Sequence, residues 1–304
     1  MKFLFCILTC NRYYYFKNCI DSIVNFLPMD DVDILICDNN TTDKRLKEYV
    51  SKMQKKFSNI HAKFFNDRHN AELYRAMNYG IDFAKKNGAD VINFIQDDYQ
   101  YIRRDDKILD HVSSFLSNNK KIVQINTNMV WRYKAKKIGR VDHIKDSGIN
   151  YAVMRDKFTC DNGFTRISVY DKIGFYPLQK VAFKSKDHSK RGGKKNLVNF
   201  KGESWFAKKC KSLSLFRAIS LYPNSTLIFD CAYVRGDTRY GDYFSPPNDL
   251  YIKPLSKEQI DKIKSNHKKK KFSYIEDICE PWGYEVGTKE KHSLSKKKES
   301  VLKD

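Results

Sequence analysis

The chain has 304 residues, 57 of them Lys or Arg and 36 Asp or Glu, for a formal net charge of +21. With 41% hydrophobic and 14% aromatic residues it can build a core, which excludes a disordered chain, a collagen and a small disulfide scaffold. The longest early apolar run (3–8) falls far short of the roughly 20 residues of a spanning helix, and the polar Thr9, Asn11 and Arg12 cut it too short for a signal peptide.

Alternating elements fill the first hundred residues. Residues 2–9 (KFLFCILT) form a continuous apolar run, as in a strand buried on both faces. After the polar turn Cys10-Asn11-Arg12, Phe16, Ile20, Ile23, Val24 and Leu27 recur at helical spacing until Pro28. Residues 32–37 (VDILIC) read as a second strand. The polar turn Asp38-Asn39-Asn40-Thr41-Thr42-Asp43 then caps a helix over 44–57. A third strand spans 60–65. A helix over 70–86 follows, with Leu73, Ala76, Met77, Gly80, Ile81 and Ala84 on one side, and Asn87-Gly88 closes it. Residues 91–95 (VINFI) form a fourth strand, which leads into Gln96-Asp97-Asp98.

This order predicts a mostly parallel sheet flanked by helices, with ligands at the carboxyl ends of its strands. Three polar clusters then share one rim: 9–12, 38–43 and 96–98. No Gly-x-Gly-x-x-Gly and no Walker-type Gly-Lys-Ser/Thr occurs, against dinucleotide oxidoreductases and P-loop enzymes. Adjacent Asp97 and Asp98 repel each other unless a cation lies between them or hydrogen bonds stabilise one. Alone the pair reads first as a solvated turn or a helix cap; its position in register with Asp38 and Asn11 favours a hard divalent ion. The eight cysteines show no Cys-x-x-Cys spacing and read as reduced thiols filling core volume, which suits a cytoplasmic chain.

In these segments the chain resembles the family-2-like glycosyltransferases with the GT-A fold. Ile7-Leu8-Thr9-Cys10-Asn11-Arg12 is similar to the family's Thr-x-Asn-Arg start, and Cys37-Asp38-Asn39-Asn40-Thr41-Thr42-Asp43 to its Asp-Asn-x-Ser/Thr-x-Asp loop. The helix Asn70-Ala71-Glu72-Leu73-Tyr74-Arg75-Ala76-Met77-Asn78-Tyr79-Gly80 resembles the one packed beneath the donor, and Phe94-Ile95-Gln96-Asp97-Asp98 the Asp-x-Asp signature, with Gln96 in place of the first acid. The resemblance implies a GT-A-type α/β fold: a Rossmann-like nucleotide-sugar-binding half (1–125), an acceptor-binding and catalytic half of the same domain (126–245) and a lysine-rich extension (246–304).

It further implies an inverting, hexosyltransferase-like enzyme that moves one sugar from a nucleotide diphosphate-sugar to an acceptor hydroxyl. Thr9, Asn11, Arg12, Asp38, Asn70, Arg75 and Asp97 would line the donor. Asp98 would ligate Mn2+ or Mg2+. Asp230 stands where the family often brings a His; it reads either as a second metal ligand or as a structural hydrogen-bonding group. Glu203, just before Trp205 and Phe206, matches the family's general base, with Asp187 as fallback; a helix-start acid is the alternative. No Gln-x-x-Arg-Trp motif points to a processive synthase.

The segment 161–175 resembles the family stretch that returns to the sheet and frames the acceptor. Residues 233–243 mix arginines, acids and tyrosines, which suits a loop closing over a diphosphate or an ordinary polar loop. Between 134 and 211 there are 20 basic and 7 acidic residues, a net +13, and from 253 onward 14 and 9, a net +5. Such charge, with the basic tract 184–195, attracts a phosphorylated or lipid-pyrophosphate-linked acceptor at an anionic membrane surface, or is merely solvated; the resemblance implies a glycan or lipid-linked acceptor. A short helix over 257–265 precedes a lysine-rich end expected to be disordered. The other readings are a basic nucleic-acid-binding protein, for which no recognisable motif occurs, and a non-catalytic nucleotide-sugar-binding homologue.

Overall fold

The computed structural model describes residues 1–10, 13–66, 72–97, 99–101, 106–126, 142–146, 149–154, 158, 163–178, 202–220 and 228–230. The basic tract 184–195, the loop 233–243, the helix expected over 257–265 and the lysine-rich end lie outside the described residues.

The elements run β1 (Phe3–Thr9), α1 (Tyr13–Phe26), a 3-10 turn (Met29–Asp31), β2 (Val32–Asn39), α2 (Lys44–Lys56), β3 (Ile60–Phe65), α3 (Glu72–Lys86) and β4 (Val91–Gln96). Then come β5 (Tyr99–Tyr101), α4 (Ile108–Asn118), β6 (Ile122–Asn126), β7 (Asp142–Asp146), β8 (Ile149–Met154), β9 (Phe164–Arg166), α5 (Ser168–Ile173), α6 (Gly202–Ser212), β10 (Phe216–Ser220) and β11 (Ile228–Asp230). A nine-stranded sheet has the order β3-β2-β1-β4-β9-β6-β10-β8-β7, and β5 pairs with β11 in a small antiparallel ladder.

The apolar runs become strands because both sheet faces are covered. All seven residues of β1 are buried, and their period of two sends alternate side chains to opposite layers. Phe3, Phe5 and Ile7 meet Phe16, Ile20 and Ile23 of α1, Leu46, Val50 and Met53 of α2, and Val112 and Phe115 of α4 in one core. Leu4, Cys6 and Leu8 join Ala76, Met77, Ile81 and Ala84 of α3, Tyr170 and Ile173 of α5, and Phe206 and Cys210 of α6 in the other. On α2 the buried Leu46, Tyr49, Val50 and Met53 fall at i, i+3, i+4 and i+7, a single helical stripe.

α3 lies flush on the sheet through Gly80: a Cβ there would sit 2.7 Å from Cys6 Sγ and 3.0 Å from the Phe94 ring. Its end is set by Gly88, whose φ of +67° suits glycine, with the Ala89 N–H returning to the Ala84 carbonyl at 2.9 Å. Cys6, Cys19, Cys37 and Cys210 are buried free thiols and Cys10 is half-buried. Burial holds the Cys6 thiol well above its ordinary pKa and pushes Cys210 up to about 12.

β1 to β4 are mutually parallel as expected. The interruption comes from β9, which runs antiparallel to β4 on one side and to β6 on the other. Phe164 of β9 meets Phe3 and Phe5 edge-on, with ring centroids 5.9 and 5.7 Å apart. Arg166 bonds the carbonyls of Ile122 (2.9 Å) and Leu116. Thus the 161–175 segment does return to the sheet, as its middle strand rather than its edge. Because β4 and β6 both oppose β9, their carboxyl ends open on the same rim. Among the described residues no helix is long and apolar enough to cross a membrane.

Candidate active site

The rim is built by register. Thr9 of β1 lies directly beside Asp38 of β2, and on the other side Leu8 pairs with Gln96 of β4. The Asp97 N–H continues that ladder by donating to the Leu8 carbonyl at 3.1 Å. Asp38, Thr9 and Asp97 therefore stand in a row at the ends of three adjacent strands. With about 4.8 Å between neighbouring strands, the row is about 10 Å across.

Each acid in the row is fixed. Asp97, fully buried, accepts a 2.8 Å hydrogen bond from Thr9 Oγ1. Asp38 is also fully buried, and here the expectation of a turn residue is corrected: β2 continues through Asn39, so Asp38 lies inside the strand. Strand pairing with Thr9 and Phe64 draws it in. Its carboxylate accepts from the Thr41 N–H at 2.9 Å and from Thr41 Oγ1, which shapes the turn leading to α2. Burial raises the Asp38 pKa, against the opposing pull of those two bonds and of Lys47. Within the turn Asn40 takes a left-handed conformation (φ +59°), which asparagine tolerates better than most residues. Asp43 is the N-cap of α2, as expected, and accepts from the Arg45 N–H at 3.0 Å.

Arg75 reaches from α3 to the same rim. Its guanidinium lies 4.4 Å from the centre of the Phe65 ring at the end of β3 and donates to Asn39 Oδ1 at 3.1 Å. Phe65 and Asn39 are register partners, so Arg75 ties together the ends of β2 and β3. Asn39 lies in the 38–43 cluster that the sequence points to, whereas Phe65 escaped the sequence reading of the site; the signal was its position, last in a strand.

A third contributor also went unnoticed. At the end of β6, buried Gln124 and Asn126 face Gly163, where a Cβ would lie 3.0 Å from Gln124 and 3.1 Å from the Asn126 amide. Gln124 donates to Thr165 Oγ1 at 3.0 Å, and Thr165 Oγ1 donates to the Gly163 carbonyl at 3.0 Å. Two polar residues in a short apolar run were the available sign.

Asn11, Arg12, Asn70, Asp98 and Asp187 lie outside the described residues. Glu203 falls in the first turn of α6, and Asp230 ends β11 opposite Tyr99, the residue that follows Asp98. Among the described residues no group of three His, Cys, Asp or Glu side chains forms a metal cluster.

The chain aligns with the crystal structure of S. aureus TarS at 12% identity and a TM-score of 0.51, over 75% of this chain and 36% of that one. With S. aureus TarS 1-349 in complex with UDP-GlcNAc the values are 14%, 0.52, 92% and 75%. With GalNAc-T7 bound to UDP, GalNAc and Mn2+ they are 12%, 0.52, 93% and 58%. The chain thus spans about a third of the longer TarS chain, and at these identities the likeness is one of fold: the mostly parallel, helix-flanked sheet is GT-A. No curated protein matches the sequence. The family model described as glycosyl transferase family 2 matches residues 5–175, more than half of the chain. The chain belongs to glycosyl transferase family 2.

Proposed function

We propose that the chain moves a single sugar from a nucleotide diphosphate-sugar to an acceptor hydroxyl, with inversion at the anomeric carbon. The observation that carries this reading is the row formed by Asp38, Thr9 and Asp97 at the carboxyl ends of three adjacent strands, in a chain of this family. Related folds have been crystallised with UDP-GlcNAc and with UDP, GalNAc and Mn2+.

In this reading the donor lies across the rim. Thr9 holds the Asp97 carboxylate in place to receive ribose hydroxyls. Asp38, its oxygens turned to Thr41, sets the shape of the loop under the nucleoside. Arg75, over the Phe65 ring, forms the side wall, and Asn11, Arg12 and Asn70 complete the donor edge. Asp98 and Asp230 would hold Mn2+ or Mg2+. The fit rests on the pairing of Asp230 with Tyr99, which brings a second acid to the chain next to Asp98, and on an all-oxygen donor set suited to a hard cation. When bound, the ion supplies positive charge against the departing nucleoside diphosphate. Glu203 takes the proton of the acceptor hydroxyl as its oxygen attacks the anomeric carbon, a role worth about 10²–10⁴-fold. Attack opposite the leaving group inverts the centre. The excess of lysines between 134 and 211 favours a lipid-linked or phosphorylated acceptor at an anionic membrane surface.

The test is a thermal-shift screen of uridine and guanosine diphosphate sugars with and without Mn2+, followed by product analysis. Binding to the native state raises the melting temperature by linkage. A shift that needs Mn2+ and disappears in Asp98→Ala supports the reading. No shift with any nucleotide sugar, or a full Mn2+-dependent rate in Asp98→Ala, overturns it.

A further inference from the structure

Away from the donor rim, α3 and α6 are joined through one residue that belongs to neither. Tyr176 follows α5 in a segment without regular structure, yet it is buried. Its backbone is held at both polar groups by one side chain of α3: the Tyr176 N–H donates to Asn78 Oδ1 at 2.8 Å, and Asn78 Nδ2 donates to the Tyr176 carbonyl at 2.8 Å. Ninety-eight residues separate the two in sequence. The amide thus does for an irregular segment what a neighbouring strand would do.

The ring of Tyr176 is equally committed. It stacks on Tyr74 of α3 at 5.5 Å between centroids and 25° between planes. On its other contacts it meets Trp205 at 5.0 Å and Phe206 at 6.3 Å, the latter nearly parallel at 19°. Its hydroxyl lies 3.4 Å from that of Tyr170 in α5. Trp205 belongs to the first turn of α6, two residues after Glu203, and Phe206 follows it. Arg75, which reaches the donor rim, sits between Tyr74 and Asn78 on the same helix.

We propose that Asn78 and Tyr176 are positioning residues for sugar transfer: together they fix the first turn of α6, and so Glu203, against the helix that supports the donor. This rests on the reading of Glu203 as the base. Packing alone would be served by any apolar side chain in place of Tyr176. A bidentate amide clamp on its backbone instead fixes the height and tilt of the ring on which Trp205 and Phe206 rest. Misplacing a reacting group by about 1 Å can lower a rate about 10²-fold, so a device that locates α6 acts on turnover before it acts on donor affinity.

The experiment uses the full chain and two readouts. Hydrogen exchange is followed in peptides covering 202–212 and, for comparison, 3–9 and 91–96. Turnover is followed as nucleoside diphosphate released from UDP-GlcNAc with Mn2+ in water, where a bound water replaces the acceptor: the anomeric C–O bond breaks with its electron pair leaving on the diphosphate, a bond to the water oxygen forms, and that water gives its proton to Glu203. In Asn78→Ala, exchange at the start of α6 should accelerate at least about tenfold while the strand peptides stay as in wild type. Turnover should fall about tenfold or more with the donor KM within about twofold. In a Glu203→Gln background the same Asn78→Ala change should cost little further, because the group it positions is already gone. Should Asn78→Ala fail to fold, Tyr176→Leu is read the same way, and Tyr176→Phe, which keeps ring and clamp, restores the rate. Unchanged exchange over 202–212, a loss confined to KM, or an undiminished loss in Glu203→Gln overturns the proposal. Failure of the base assignment looks different: Glu203→Gln alone would then turn over like wild type. Absence of turnover in the wild type with every nucleotide sugar would count against the transferase reading, while the exchange result still decides the clamp.

Discussion

Thr9 Oγ1 donates to Asp97 Oδ2 across 2.8 Å, joining two residues that are 88 positions apart, one ending β1 and the other directly following its parallel neighbour β4. Both are buried, so the bond forms where water cannot replace it. Thr9→Val should lower stability by about 1–3 kcal/mol, the cost of leaving a buried acceptor without its donor, and should weaken nucleotide-sugar binding as well. Urea unfolding together with donor titration calorimetry checks both; a stable variant with unaltered affinity would remove Thr9 from the donor site.

Asp38 and Asp43, five residues apart, should answer acid in opposite directions. Burial raises the Asp38 pKa, so its contribution to stability is fully present below the ordinary carboxylate value of about 3.9 and is lost as pH rises through the folded value. The Asp43 pKa is lowered, mainly by its bonds to Arg45, so its contribution is present above that ordinary value and lost as pH falls through the folded one. Unfolding free energies of wild type, Asp38→Asn and Asp43→Asn from pH 7 down to pH 3 should show the first difference moving in favour of wild type and the second shrinking. At neutral pH Asp43→Ala, which removes the cap that asparagine would keep, should cost about 1 kcal/mol.

Arg75→Lys keeps the charge and loses the forked guanidinium. A lysine has one nitrogen with which to sit over the Phe65 ring and donate to Asn39, where the guanidinium divides the two tasks between different atoms. Stability should fall by about 0.5–2 kcal/mol, and donor affinity about tenfold. Thermal melts and calorimetry at matched ionic strength separate the two effects.

Gly80→Ala should destabilise although alanine favours helix by about 1 kcal/mol. The added methyl would meet Cys6 Sγ at 2.7 Å and the Phe94 ring at 3.0 Å, and overpacking of this kind costs about 1–3 kcal/mol. Pairing it with Cys6→Ala should recover much of the loss. A simple rise in melting temperature for Gly80→Ala alone would contradict the close approach of α3 to β1.

What could be read from the sequence was local. The runs FLFCILT and VINFI announce strands because both faces of this sheet are covered, and the stripe Leu46, Tyr49, Val50, Met53 announces a helix because only one of its faces is. The row of polar residues at the rim followed, since it is a property of strand ends. Long-range pairing could not be read. Nothing near Phe164 says that three residues will slot between β4 and β6, and nothing near Asn78 says that its amide will hold a backbone 98 positions away. The extension of β2 through Asp38 depends on its two neighbours in the sheet, so a local reading stopped two residues short.

The placement of β9 has a consequence for how the protein comes into being. Residues 164–166 supply the ladder that both β4 and β6 need. A nascent polypeptide of about 130 residues leaving the ribosome would own five of the central strands and still carry a gap between two of them. Until the next forty or so residues emerge, those two open edges invite another chain, which makes the interval a point of vulnerability to aggregation and of dependence on chaperones.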